Sequence, residues 1–203
     1  MLVFNKERLV ILSVPKTGST ALQAALGDAA DLIVRDPPLL KHAPLYRYHR
    51  FFKPMLEKFC GPMELVAVIR EPLDWMGSWY RYRARPYLSG TENSTEEIDF
   101  GTFLTGYMSD PKPPYAEIGA QSKFVARKDG TPGVDHLFAY EEPEHLQRFL
   151  EERLERSLVT ERLNVSPPRV LDAEAEVIAR FRERHKAEFD LWNSARRGNG
   201  VSD

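Results

Sequence analysis

The chain has 203 residues, 42% of them hydrophobic, which suffices for one well-buried α/β core and is short for two. Its 28 lysines and arginines stand against 30 acids, a formal net charge of −2, so the whole chain makes no electrostatic case for nonspecific binding to nucleic acid or an anionic membrane. Any anion binding has to be local. Cys60 is the single cysteine, which excludes an internal disulfide and argues against a cysteine-based zinc site; with no export signal or membrane span in view, the expected location is cytoplasmic.

Residues 9–14 are a β-branched apolar run of strand length, and residues 20–26 then space apolar side chains as a helix does, stopping near Gly27. Residues 32–34 form a second short strand. Pro37, Pro38 and Pro44 keep the following segment irregular until an aromatic, basic helix over residues 45–59. Residues 64–69 make the clearest buried strand, running into Arg70-Glu71-Pro72, where Pro72 suits the first position of a helix that reaches Arg83. Residues 100–108 and 116–126 are two further helices separated by Pro111, Pro113 and Pro114. Residues 134–140 are the last strand, a helix opens at Glu142-Pro143 and runs through Arg156, and residues 173–192 form a charged amphipathic helix.

This alternation predicts an α/β fold with a central, mostly parallel sheet flanked by helices on both faces. It makes residues 1–195 a single domain and residues 196–203 a flexible tail, and it puts ligands where strand ends meet helix starts.

Two such junctions carry chemistry. In Ser13-Val14-Pro15-Lys16-Thr17-Gly18-Ser19-Thr20, a strand turns into a helix whose start exposes unpaired N–H groups and the positive end of its dipole. Gly18 permits close backbone approach, Lys16 adds a mobile cation, and Ser19 and Thr20 supply hydroxyls that cap the helix or donate to a phosphate. The lysine precedes the only glycine, so this is not the nucleoside-triphosphate loop, in which Gly-Lys is followed by Ser or Thr. A capped helix with an ordinary surface lysine uses the same residues. At the second junction Arg70 leaves the carboxyl end of a strand and Ser78 lies eight residues later, two helical turns on, where both can share one phosphate if the helix packs back over the strand.

Taken together, these motifs resemble those of the sulfotransferases that use 3′-phosphoadenosine-5′-phosphosulfate (PAPS). The resemblance implies a P-loop-like three-layer fold and transfer of a sulfuryl group to a hydroxyl or amine, with adenosine 3′,5′-bisphosphate as the other product and no metal. It assigns the 5′-phosphosulfate to Lys16, Thr17, Gly18, Ser19 and Thr20, with Lys16 also the electrostatic catalyst, and the 3′-phosphate to Arg70 and Ser78. The segment Lys41-His42-Ala43-Pro44 is similar to the loop that carries the catalytic histidine of cytosolic members, which makes His42 the expected base. An imidazole titrates near neutrality and accepts a hydroxyl proton there. Glycan-type members use a carboxylate, which keeps Asp36 and Glu71 in view.

Several features depart from the family or stay ambiguous. Ala21 stands where cytosolic members carry an adenine-stacking aromatic, and Trp75 and Trp79 read as core residues by their spacing. Phe138-Ala139-Tyr140-Glu141 is similar to a recurring strand-to-helix junction of the family that also serves structure alone, and Arg196-Arg197-Gly198 is faintly like its late basic segment. The arginine- and aromatic-rich segments 46–50 and 79–85 read either as a rim for an anionic or sugar acceptor or as two amphipathic helix faces. The acceptor is a small molecule or saccharide, with no nucleic acid and no membrane span involved. A phosphate-binding protein without transfer activity is the alternative, with a P-loop-type kinase behind it.

Overall fold

The computed structural model of the chain describes residues 1–159 and 168–198. Its five strands are β1 (Leu2–Phe4), β2 (Leu9–Ile11), β3 (Leu32–Ile33), β4 (Glu64–Ile69) and β5 (His136–Ala139), in the sheet order β3-β1-β2-β4-β5. β2, β4 and β5 are parallel neighbours, whereas β1 runs antiparallel to both β2 and β3. The fold is therefore α/β, as expected, but the sheet is mixed rather than mostly parallel.

The correction comes from β1. Three residues are too few for a periodic signal, and the charged Lys6-Glu7-Arg8 run masks the strand by supplying its tight return. There Arg8 takes a left-handed φ of 55° and donates its N–H to the Asn5 carbonyl at 3.2 Å.

Helices α1 (Ser19–Leu26), α2 (Pro38–Lys41), α3 (Leu45–Arg47), α4 (Lys53–Cys60), α5 (Pro72–Arg83), α6 (Phe100–Met108), α7 (Gln121–Val125), α8 (Pro143–Leu154), α9 (Ala175–Arg184) and α10 (Lys186–Gly198) complete the described chain. The helix expected over 45–59 is one path made of α3, a π turn at Tyr48–Phe52 and α4. That expected over 116–126 reduces to α7, and the one over 173–192 breaks at His185 into α9 and α10. α10 continues past the expected boundary at 195, with Arg196 donating from Nε to Glu142 at 2.6 Å; residues 199–203 of the expected tail lie outside the described residues.

Alternation along the strands gives the sheet two apolar faces. Val3, Val10, Leu65, Ala67 and Ile69 pack with Leu45, Tyr48 and Leu56 of the α3–α4 path and with Leu191 of α10. Phe4, Leu9, Val66, Val68 and Phe138 pack with Leu22 and Leu26 of α1 and with Leu146 and Leu150 of α8. A third cluster joins Trp75, Met76 and Tyr80 of α5 to Phe103 of α6 and Phe181 of α9. α5 is thereby fixed along its length, which holds steady both the strand end it leaves and the side chains it offers to the neighbouring loop.

Candidate functional site

The carboxyl ends of the parallel neighbours β2 and β4 lead into the two junctions singled out by the sequence, so both motifs meet at one edge of the sheet. The β2–α1 loop is held from below. Thr17 donates its hydroxyl to the Val14 carbonyl at 3.0 Å, and Trp75, buried on α5, donates its indole N–H to the Pro15 carbonyl at 2.8 Å. Thr17 therefore shapes the turn with its hydroxyl and has only its backbone to offer a ligand.

Lys16 and Gly18 both take left-handed φ values, 67° and 78°. Gly18 adopts this without penalty, while Lys16 does so against its Cβ, a strain of order 1 kcal/mol that binding loops characteristically hold. No side chain caps α1, and no acid stands in its first turn. Ser19 is buried at the helix start, and the Thr20 hydroxyl accepts from Lys41 Nζ at 3.2 Å.

The Lys16 ammonium lies 4.3 Å from the centre of the Tyr82 ring and 5.9 Å from that of Trp79. Burial, and then the charges of Arg85, Arg70 and Arg81, pull its pKa down to about 8. Trp79 Nε1 is a buried donor without a protein partner among the described residues, so an N–H near the ammonium is left for some other acceptor.

Arg70 reaches the same loop. Its backbone is clamped by the buried Gln121, which accepts from the Arg70 N–H and donates to the Arg70 carbonyl, each at 2.8 Å. Its guanidinium donates to the Lys16 carbonyl at 3.3 Å and lies 4.5 Å from the centre of the Tyr140 ring. Asp74 Oδ2 accepts from both Nε and Nη2 at 2.6 Å. Ser78, one turn beyond Asp74 on α5, is buried, and the carboxylate of Asp74 is what engages Arg70.

His42 sits at the carboxyl end of α2 with Nδ1 2.7 Å from the Ser13 carbonyl. A carbonyl only accepts, so Nδ1 carries the proton and the neutral ring keeps its lone pair on Nε2. Burial lowers its pKa, Lys41 and Lys16 add to that, and the Ser13 carbonyl opposes them. The carboxylates kept in view differ in setting. Glu71 caps α5 by accepting the Asp74 N–H at 2.7 Å, and burial raises its pKa, whereas Asp36 is exposed.

The structure thus gathers Lys16, Thr17, Gly18, Ser19, Thr20 and Arg70 at one sheet edge, with His42 anchored to the strand end beneath them. It adds Lys41, Asp74, Gln121, Tyr82 and Tyr140. Tyr140, which follows β5 in the junction segment 138–141, is so close to Gly18 that a Cβ there would stand 3.3 Å from its ring. Among the added residues Tyr140, Tyr82 and Lys41 lie in segments with a local signal, the junction 138–141, the aromatic-rich 79–85 and the loop 41–44, whereas Asp74 and Gln121 carry none.

A scan of protein-family models, a search of curated proteins and a search of solved structures find no match for this chain. No helix among the described residues is long and apolar enough to cross a membrane.

Proposed function

We propose that the chain is a PAPS-dependent sulfotransferase, with a P-loop-like three-layer fold, acting on a hydroxyl or amine of a small molecule or saccharide. One observation carries this reading: the Arg70 guanidinium reaches the Lys16 carbonyl, so two anion-binding motifs far apart in sequence adjoin at neighbouring strand ends. The residues fit a doubly anionic ligand: an uncapped helix start, a lysine and an arginine at hand, and an orphaned indole donor.

In the proposed reaction the acceptor oxygen or nitrogen attacks sulfur in line, forming the new bond as the bond from sulfur to the bridging phosphate oxygen breaks. The acceptor proton passes to His42 Nε2, and Lys16 balances the charge left on the phosphate oxygen of adenosine 3′,5′-bisphosphate. Arg70 holds the 3′-phosphate, and the clamp from Gln121 fixes the backbone from which it projects.

The test is a thermal shift with adenosine 3′,5′-bisphosphate, followed by transfer of labelled sulfate from PAPS to pooled acceptors. A ligand that fills both sites raises the melting temperature, by an amount that grows with the logarithm of its concentration above the dissociation constant. No shift at saturating concentration rejects the reading, and a shift without transfer assigns the protein as a binder alone.

Arg70 makes a sharper prediction. To take a phosphate it has to release Asp74, whose half-exposed carboxylate contributes no more than about 1 kcal/mol as a pair. Arg70→Ala is expected to weaken adenosine 3′,5′-bisphosphate roughly 100-fold, whereas Asp74→Asn tightens it by up to about fivefold by removing the competing anion. Calorimetric titration of both variants measures this, and an Arg70→Ala variant that binds as the native protein does contradicts the assignment.

A further inference from the structure

From the outward face of the α2–α4 segment we infer an interaction surface that is independent of the proposed reaction: it docks the protein on an anionic lipid bilayer. Six of the ten exposed large apolar side chains among the described residues lie here: Leu39, Leu40, Tyr46, Phe51, Met55 and Phe59. They stand out from the molecule, with Leu39 69%, Phe51 59% and Phe59 78% exposed. Tyr48 and Leu56 on the opposite side of the same helical path are buried in the core. The segment therefore spends one apolar face on folding and presents a second to solvent, an arrangement the fold itself does not need.

The outward stripe has a regular composition. Along the π turn and α4 the exposed positions fall at 49–51, 54–55 and 58–59, about one turn apart and separated by half-buried or buried ones, which keeps them on one side of the path. They read His49-Arg50-Phe51, Pro54-Met55 and Lys58-Phe59. Each cation flanks its aromatic neighbour, with Arg50 5.2 Å from the Phe51 ring centre and Lys58 5.7 Å from that of Phe59. Arg47 Nη1 donates to the Leu39 carbonyl at 3.2 Å, which ties the exposed leucines of α2 to the same surface.

Charge selects the occupant. Residues 38–60 hold five lysines and arginines against one acid, a net of +4 in a chain whose total is −2, so the remainder carries −6. The acid, Glu57, is already bonded to Lys53 at 3.0 Å. A second copy of the chain meeting this face about a twofold axis brings like charges together with no free acid to answer them. An anionic bilayer answers them everywhere, and projecting rings beside cations suit the headgroup boundary better than a groove does.

Flotation of the full chain with vesicles tests this. The protein is expected to float with phosphatidylcholine vesicles containing phosphatidylglycerol, to stay behind with phosphatidylcholine alone, and to be released by high salt. Arg50→Glu with Lys58→Glu is expected to lower binding at least roughly thirtyfold, and Phe51→Ser with Phe59→Ser about tenfold. All four positions are exposed, so the variants keep the native melting temperature, which serves as the control. Absence of flotation with anionic vesicles at low salt overturns the proposal, as does equal flotation with neutral ones. Two further results reassign the face: sedimentation equilibrium showing a dimer that Phe51→Ser with Phe59→Ser disperses makes it a self-association surface. Binding to soluble polyglutamate that the phenylalanine variants leave unchanged makes it a site for acidic polypeptides.

Discussion

Lys16→Met is expected to lower sulfuryl transfer by about 10²–10³-fold while raising the melting temperature of the ligand-free protein. The first effect follows from the proposed role, since a methionine of similar length fills the space over Tyr82 and brings no charge to the leaving phosphate. The second follows from what Lys16 costs the fold. Its ammonium is buried and surrounded by the charges of Arg85, Arg70 and Arg81, a cost that methionine removes while the left-handed backbone is unchanged.

The sign of the stability change can be worked out. Lys16 has a pKa of about 8 in the folded chain against 10.5 for a free side chain, so between those values the unfolded state binds more protons and stability rises with pH. Below about 8 the folded state carries the full penalty, of order 3 kcal/mol. The advantage of Lys16→Met is therefore largest at neutral pH and fades above about 10.5, which melting curves across that range measure. An anionic ligand restores the proton, so binding of adenosine 3′,5′-bisphosphate above pH 8 is expected to take up a proton in the native protein and none in the variant. Undiminished transfer by Lys16→Met contradicts its role as electrostatic catalyst.

These costs explain which parts of the molecule were legible in its sequence. Pro15-Lys16-Thr17-Gly18 stands out as a lysine and a glycine at a strand-to-helix turn, although a capped helix uses the same residues, and β4 stands out because its five consecutive buried positions, Leu65 to Ile69, need an unbroken apolar run. Gln121 and Asp74 gave no signal. The clamp on Arg70 joins residues 51 apart, and a buried glutamine in a weak helical stretch looks like any surface glutamine until the chain is folded. β1 leaves no mark in the sequence because antiparallel pairing of three residues depends on its partners rather than on its own pattern, and neither does the π turn, because an added residue in a helix leaves composition unchanged. Trp75 reads as core from its spacing and is core, yet its indole N–H also holds the Pro15 carbonyl, a second duty that spacing does not encode.

His42 gives the second large effect. His42→Ala is expected to lower turnover by about 10²–10⁴-fold and to leave the affinity for adenosine 3′,5′-bisphosphate unchanged, because the ring is assigned to the acceptor proton and not to the nucleotide. Its lowered pKa, set first by burial, makes the imidazole neutral at physiological pH and puts the acid limb of the rate profile below the ordinary histidine range. In the variant that limb disappears. Stability reports the same group separately: with the folded pKa depressed, the unfolded chain binds more protons just below pH 6.5, so native stability is lost as pH falls through that window and the variant loses less.

A structural role for the ring predicts something different, and His42→Asn separates the two. Histidine Nδ1 donates to the Ser13 carbonyl at 2.7 Å, and an asparagine amide offers a donor at a similar position with no basic nitrogen beyond it. If His42 only anchors its loop, the asparagine variant recovers turnover that the alanine variant loses. If Nε2 is the base, both variants stay inactive although the asparagine variant melts as the native protein does, and turnover returns only when an exogenous amine such as imidazole supplies the missing base.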